Sequence, residues 1–414
     1  MNLLVVGGTG VISYAVVCEA VRQGIHVTCI NRGISKKQEL PDSVEQIHVD
    51  YRDHDAMTRV LSGRMFDAAL DVLCYKKEDI RYSVSILKDV CRQYFFFSSC
   101  AVYNKGKGDY ECTEDSELIN PVWDYSINKV ECEKELLSLA HSEGFIYTIV
   151  RPAVTYGNTR IPYGITPPYG YHGTLIQRIL HHKPIIVWDN GEAYSTITHV
   201  DDFAVGFVGL IGNSKAFNQA FHVVGDCHYH WKDVLLTLGE ILGVEPILFN
   251  LTKEQYANEI PSRKGELLGG RGISQLLDNS KIKDAVPAFK TNISLFEGIK
   301  RTVEYYQSHN YLMGVDWKFD GDTDRIIRKW CKKNNIDDAK YKLDFVDYLG
   351  TASFNDKKKY WLEYHKDIFL IKSLIYCGQQ YRRIVSFAKS FLQKGKRLSL
   401  HYLHEVISRE KGKR

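Results

Sequence analysis

The 414-residue sequence has no apolar stretch long enough to span a bilayer, no Cys-x-x-Cys pair and no His/Cys cluster at metal-ligand spacing. The first absence excludes a helical membrane span, which needs about 20 consecutive apolar residues. The other two argue against structural zinc, so no metal is expected. They leave the ten cysteines, at 18, 29, 74, 91, 100, 112, 132, 227, 331 and 377, as reduced thiols. The opening Met-Asn-Leu-Leu-Val-Val-Gly has neither a basic segment nor a small-residue cleavage site, so no secretory leader is expected and a cytoplasmic location is. Internal repeats and low-complexity tracts are also missing. A hydrophobic content of 44% with 25% charged residues instead describes an ordinary globular chain with a large core.

The net charge of +4 is unevenly spread. From Asp316 onward 23 Lys and Arg face 13 Asp and Glu, whereas the first 315 residues carry 31 basic and 37 acidic side chains. An acidic body with a basic extension suggests two regions with different surface partners, the simpler alternative being a solvated helical face.

Short apolar strands alternate with helical stretches in the first half. Strands are expected at Leu3–Val6, Val27–Asn31, Gln46–Asp50, Ala68–Leu73, Tyr94–Ser98 and Tyr147–Arg151. Helices are expected near Val11–Gln23, Asp55–Ser62, Lys77–Cys91 and Tyr125–Ser142. Such alternation specifies an α/β fold of the Rossmann type, a doubly wound parallel sheet wrapped by helices on both faces. Pro162, Pro167 and Pro168 break the pattern between Gly157 and Gly173, a composition expected of a surface loop that closes over a ligand. Further strands are expected at Pro184–Trp188 and Ala220–Val224, and helices at Trp231–Leu242 and Leu295–Ser308. Three regions follow: residues 1–157 as the dinucleotide-binding core with the catalytic residues, 158–315 as a smaller substrate-binding α/β region, and 316–414 as a basic helical extension. Amphipathic stretches at Thr323–Lys333 and Asp367–Leu392 carry the extension. Its clusters Lys357–Trp361 and Tyr381-Arg382-Arg383 mix charge with aromatics, which suits nucleic acid, an anionic surface or an acidic partner.

The chemistry starts at Gly7-Gly8-Thr9-Gly10-Val11-Ile12-Ser13, between a strand and a helix. Gly7 permits a tight turn, and Gly10 lets the backbone approach a pyrophosphate where the unpaired N–H groups of a helix N-terminus favour anionic oxygen. Ser13 stands where a third glycine is usual. The second strand ends in Asn31-Arg32-Gly33, with no carboxylate at the position, roughly 20 residues past the turn, that binds the hydroxyls of an adenosine ribose. Asn31 can hydrogen-bond a hydroxyl and Arg32 can stack on adenine or meet a 2′-phosphate, so NAD and NADP both remain open. Asp50-Tyr51-Arg52-Asp53 is the next polar cluster at the carboxyl edge, and it serves equally well as a helix cap. Tyr125 and Lys129 share a helix face in Tyr-Ser-Ile-Asn-Lys. An ammonium beside a phenol favours the phenolate, as a proton-abstracting base requires. The Ser98-Ser99 pair closes a strand at the same edge.

These motifs resemble the extended short-chain dehydrogenase/reductases, in particular the NAD-dependent epimerase/dehydratase family that acts on nucleotide sugars. The resemblance covers about residues 1–310. It includes the glycine turn, Asp50, Ser98–Tyr103, Tyr125 with Lys129, Arg151-Pro152, Tyr156-Gly157, Thr198–Asp202 and Asp278–Lys281. It implies catalytic roles for Ser99, Tyr125 and Lys129, the lysine also binding the nicotinamide ribose. Cofactor contacts are implied at Gly7, Thr9, Gly10, Val11, Ile12, Asn31, Arg32, Asp50, Leu73 and Lys76, and substrate contacts at Ser99 and Tyr125. Asn190-Gly191 and His199–Asp202 would support the substrate, and Arg263 and Arg271 would meet a nucleotide diphosphate, although surface arginine is the commoner explanation for either alone. Cys100 and Ala101 follow Ser99 where the 4,6-dehydratases carry Asp-Glu, so dehydration is disfavoured. The resemblance therefore implies epimerisation of a nucleotide sugar through a transient keto-sugar, with NAD as cofactor and a homodimer as the usual assembly. A keto-sugar reductase and a non-catalytic RNA-binding relative of the fold are the alternatives.

Overall fold

A computed structural model describes residues 1–34, 38–103, 111–168, 170–343, 347–368, 370–373, 376 and 378. Its contacts divide into two compact units, residues 1–316 with 337–348, and residues 317–336 with the described residues from 349 on.

The first unit contains strands β1 (Asn2–Val6), β2 (His26–Asn31), β3 (Glu45–His48), β4 (Phe66–Asp71), β5 (Cys91–Phe97), β6 (Glu111–Cys112), β7 (Tyr147–Val150), β8 (Val154–Tyr156), β9 (Ile185–Trp188), β10 (Tyr194–His199), β11 (Gln219–Phe221), β12 (His228–His230), β13 (Leu248–Leu251) and β14 (Leu276–Leu277). Seven of them form one sheet in the order β11-β7-β5-β4-β1-β2-β3. Every pairing in that sheet is parallel, with Leu3 opposite both Val27 and Ala68. The strand order reverses between β1 and β4, and ligands bind in the crevice that such a reversal opens at the carboxyl ends of the strands.

Helices α1 (Val11–Arg22), α2 (His54–Leu61), α3 (Lys77–Leu87), α4 (Asp124–Glu143), α5 (Gly173–Leu180), α6 (Val200–Val208) and α7 (Trp231–Leu242) belong to this unit. Alternation along β1 sorts its side chains between two cores. Leu3 and Val5 join Val16, Val17, Phe203 and Phe207 from α1 and α6. Leu4 and Val6 join Met57, Ile80, Val84 and Leu136 from α2, α3 and α4. All four β1 side chains are fully buried, each worth about 1.5–3 kcal/mol relative to exposure. That rigid double packing holds the carboxyl edge in place.

Three expectations need correction. The helix expected to run to Cys91 stops at Leu87, because Cys91 is already paired with Phe66 at the start of β5. The segment between Gly157 and Gly173 has little regular structure, yet it is core and not a surface loop: Ile161, Tyr163 and Ile165 are buried. Its polar groups find partners in place of water, Ile161 N donating to His172 Nδ1 (2.8 Å) and the Tyr163 hydroxyl to the Ile186 carbonyl (2.8 Å). The strand expected at Ala220–Val224 is β11, and its pairing ends at Phe221. The remaining strands form a three-stranded sheet β12-β10-β8 and the pairs β13-β9 and β14-β6.

In the second unit a helix at Trp317–Lys333 packs against one at Phe354–Tyr364. The Tyr360 hydroxyl donates to the buried Asp324 (2.6 Å), and Arg325 pairs with Asp322 and Asp367. Lys357–Trp361 lies on the second of these helices. Tyr381-Arg382-Arg383 and most of the stretch Asp367–Leu392 lie outside the described residues. Among the described residues no helix is long and apolar enough to cross a membrane, and no group of three metal-ligating side chains comes together.

Candidate active site

Gly7 adopts φ +92°, the left-handed region, and a Cβ there would lie 2.6 Å from Val72, the residue after β4. The first turn is thus packed directly on the chain that leaves the neighbouring strand. Ser13 closes it: its hydroxyl donates to the Gly7 carbonyl (2.7 Å) and accepts from Gly10 N (3.1 Å). A Cβ on Gly10 would meet only that Ser13 oxygen, so the start of α1 is open to a ligand oxygen at its unpaired N–H groups. Thr9, Val11 and Ile12 surround this opening, each partly exposed.

At the end of β2, Asn31 Oδ1 accepts from Gly33 N (2.8 Å) and stands 3.0 Å from His48 Nδ1, while Asn31 Nδ2 is buried with no hydrogen-bond partner among the described residues. An orphaned donor at this position matches a ribose hydroxyl as acceptor. Arg32 is exposed beside it. Asp50 is exposed and accepts from Arg52 N (3.1 Å), and Asp53 caps α2 through Ala56 N (3.1 Å). Leu73 is exposed beyond β4, and Lys76 is an exposed residue whose backbone opens α3.

Lys129 stands at the centre of the edge. Its side chain is buried, and Nζ donates to the Cys74 carbonyl (2.7 Å), from the segment that follows β4, and to the Phe97 carbonyl (2.7 Å), at the end of β5. The same nitrogen lies 5.9 Å from the centre of the Tyr125 ring. Burial pushes the ammonium below its ordinary pKa. Tyr125 is half-buried in the first turn of α4, its ring 4.9 Å from that of Trp123. Ser99 ends the β5 edge, half-buried, and its Oγ accepts from Ala101 N (3.1 Å). With one lone pair so occupied, its proton is available to another acceptor. The buried Asn120, a residue missed in the sequence, fixes this turn: its Nδ2 donates to the carbonyls of Ala101 (2.8 Å) and Gly269 (2.7 Å).

Other motif residues turn out to be braces. Arg151 makes a buried two-pronged pair with Glu133 (3.0 and 2.7 Å) and donates to the Tyr103 hydroxyl (2.7 Å). His199 caps α6 through Asp201 N (3.3 Å), and Asp202 accepts from Ile293 N (3.0 Å). Asn190 N donates to Asn250 Oδ1 (2.7 Å). Arg263 and Arg271 both approach Glu266, at 2.8 and 3.7 Å, which gathers them at one place.

Residues 3–224 match the family model for the NAD-dependent epimerase/dehydratase family, more than half of the chain. The chain belongs to that family. Among curated proteins it is 29% identical over 237 residues to the chloroplast stem-loop binding protein of 41 kDa b from Arabidopsis thaliana, a match spanning 54% of this chain and 59% of that protein. It is 23% identical over 244 residues to 2′-dehydrokanamycin reductase from Streptomyces kanamyceticus, covering 59% and 67%. Among solved structures, UDP-glucose 4-epimerase from Thermotoga maritima superposes with a TM-score of 0.59 at 22% identity, over 75% of this chain and 100% of that one. UDP-glucuronic acid 4-epimerase from Bacillus cereus, solved in complex with NAD, gives 0.59 at 18% identity over 75% and 97%. These superpositions establish the extended Rossmann-type fold.

Proposed function

We propose that this chain is an NAD-dependent epimerase of a nucleotide-activated sugar. The observation that carries the proposal is the grip on Lys129, a buried ammonium held by two carbonyls beneath the Tyr125 ring and next to the Ser99 turn. A fixed positive charge there favours the Tyr125 phenolate, which takes the proton of a sugar hydroxyl and later returns it. Ser99 donates its hydroxyl proton to the reacting oxygen, and its partner Ala101 N keeps it oriented. When bound, NAD supplies hydride acceptance and hydride return at the carbon that bears that oxygen. Gly7, Thr9, Gly10, Val11 and Ile12 would hold its pyrophosphate, Asn31, Arg32 and Asp50 its adenosine, and Leu73, Lys76 and Lys129 its nicotinamide end. Arg263 and Arg271 would meet the diphosphate of the substrate. A homodimer through helices flanking the sheet belongs to the same proposal.

The test is to incubate the protein with a panel of UDP-, dTDP-, GDP- and CDP-sugars and follow products by NMR, with nicotinamide fluorescence recorded on the purified protein. An inverted sugar with no net change in the cofactor supports epimerisation. Stoichiometric consumption of reduced cofactor supports a reductase, the activity named for the Streptomyces relative. The plant relative is named a stem-loop binding protein, which suits a second reading in which this chain binds RNA; strong, salt-dependent binding of an RNA stem-loop without any cofactor uptake would replace the enzyme proposal by that one.

A further inference from the structure

Asp71 ends β4 with its carboxylate fully buried, and Lys129 is a buried ammonium, yet among the described residues neither makes an ion pair. Both are anchored on the same short stretch of chain. Asp71 Oδ1 accepts from Leu73 N (2.8 Å), and Oδ2 accepts from the Tyr51 hydroxyl and from Cys74 Sγ (3.4 Å). Lys129 donates to the carbonyl of that same Cys74. Tyr51 is in turn wedged by the Tyr82 ring, 5.1 Å away and edge-on.

We propose that Asp71, held by Tyr51, is the positioning residue for Lys129: it sets the Leu73–Cys74 turn so that the Cys74 carbonyl meets the ammonium, and its buried negative charge keeps that lysine protonated. The inference rests on the proposal that Lys129 serves Tyr125. The groups that face the ammonium allow few other sources of the charge. From its own helix these are Tyr125, Cys132 and Glu133, and from the segment after β4 they are Cys74 and Tyr75; β5 presents the Phe97 carbonyl and the Phe96 ring (4.9 Å), neither of which carries a net charge. Glu133 is already engaged by Arg151 in its two-pronged pair, which leaves Asp71 as the carboxylate not neutralised by another cation. Burial pushes the carboxyl up and the ammonium down, and each charge opposes the neutralisation of the other. A carboxylate that merely plugged the end of β4 would affect stability and leave Lys129 unmoved.

The discriminating measurement is 15Nζ NMR of lysine in the full chain without cofactor. A lysine ammonium gripped by two carbonyls exchanges slowly with water and gives a signal that Lys129→Met removes. In Asp71→Asn that signal is expected to move or vanish, and its titration midpoint to fall by about one pH unit, a tenfold change in protonation. Tyr51→Phe removes one donor that holds the carboxylate against the Leu73–Cys74 segment, so the Lys129 signal is expected to shift and to exchange faster with water. The proposal is overturned if wild type shows no protected Lys129 signal, or if shift and midpoint stay unchanged in the folded variants, Tyr51→Phe alone deciding the matter if Asp71→Asn does not fold. Neither sugar nor cofactor enters the measurement, so failure of the epimerase proposal and failure of this one are separable.

Discussion

The Nζ atom of Lys129 sits 5.9 Å from the centre of the Tyr125 ring while its protons are drawn to two main-chain carbonyls at 2.7 Å. The charge is therefore placed by backbone at the carboxyl ends of two neighbouring strands, the end of β5 and the segment after β4, and swinging away from the phenol would cost it both hydrogen bonds.

Tyr125→Phe removes the phenol and keeps the ring against Trp123. Turnover with the nucleotide sugar identified by the panel should fall at least about a hundredfold, the usual worth of a positioned acid–base group. Cofactor affinity, followed by nicotinamide fluorescence, should stay within about twofold. Undiminished turnover in this variant would remove Tyr125 from the mechanism.

Ser13→Ala deletes two hydrogen bonds that pin the first turn, one to the Gly7 carbonyl and one from Gly10 N. Urea unfolding should report a loss of about 1–2 kcal/mol, because both backbone groups lose a partner in a nearly buried site. Cofactor affinity should fall as well, since the same turn shapes the opening at the start of α1. A variant with wild-type stability and affinity would show that the glycines alone hold the turn.

His172 gives a pH dependence with a definite sign. It is fully buried, and burial followed by the charges of Arg160 and Arg263 lowers its pKa from 6.5 to about 3. The folded-state value lies below the unfolded one, so this contribution to stability is complete above about 6.5 and is lost as the pH falls toward about 3. In that window the unfolded chain binds a proton that the folded chain refuses, and stability should decline by at most about 1.4 kcal/mol per pH unit from this group. Gln at this position can still accept from Ile161 N. Denaturant midpoints measured from neutral to mildly acidic pH should therefore fall less steeply in His172→Gln, and equal slopes would exclude His172 as a source of acid lability.

Much of the architecture is legible before any coordinate. The alternation of apolar strands and amphipathic helices determines the parallel sheet, the glycine turn determines where its first helix begins, and four-residue spacing determines that Tyr125 and Lys129 share a face of α4. These are short-range properties, set by the periods of strand and helix. Tertiary structure alone decided that Lys129 would be buried against carbonyls 55 and 32 positions away, and that Asp71 would meet the hydroxyl of Tyr51, 20 positions earlier. It also decided that the Pro- and Gly-rich stretch after Gly157 would be core, where composition argues for a surface loop. The physical reason is common to all three. A polar group or an irregular segment is buried only where distant parts of the chain supply its hydrogen-bond partners, and no local pattern encodes which partners arrive.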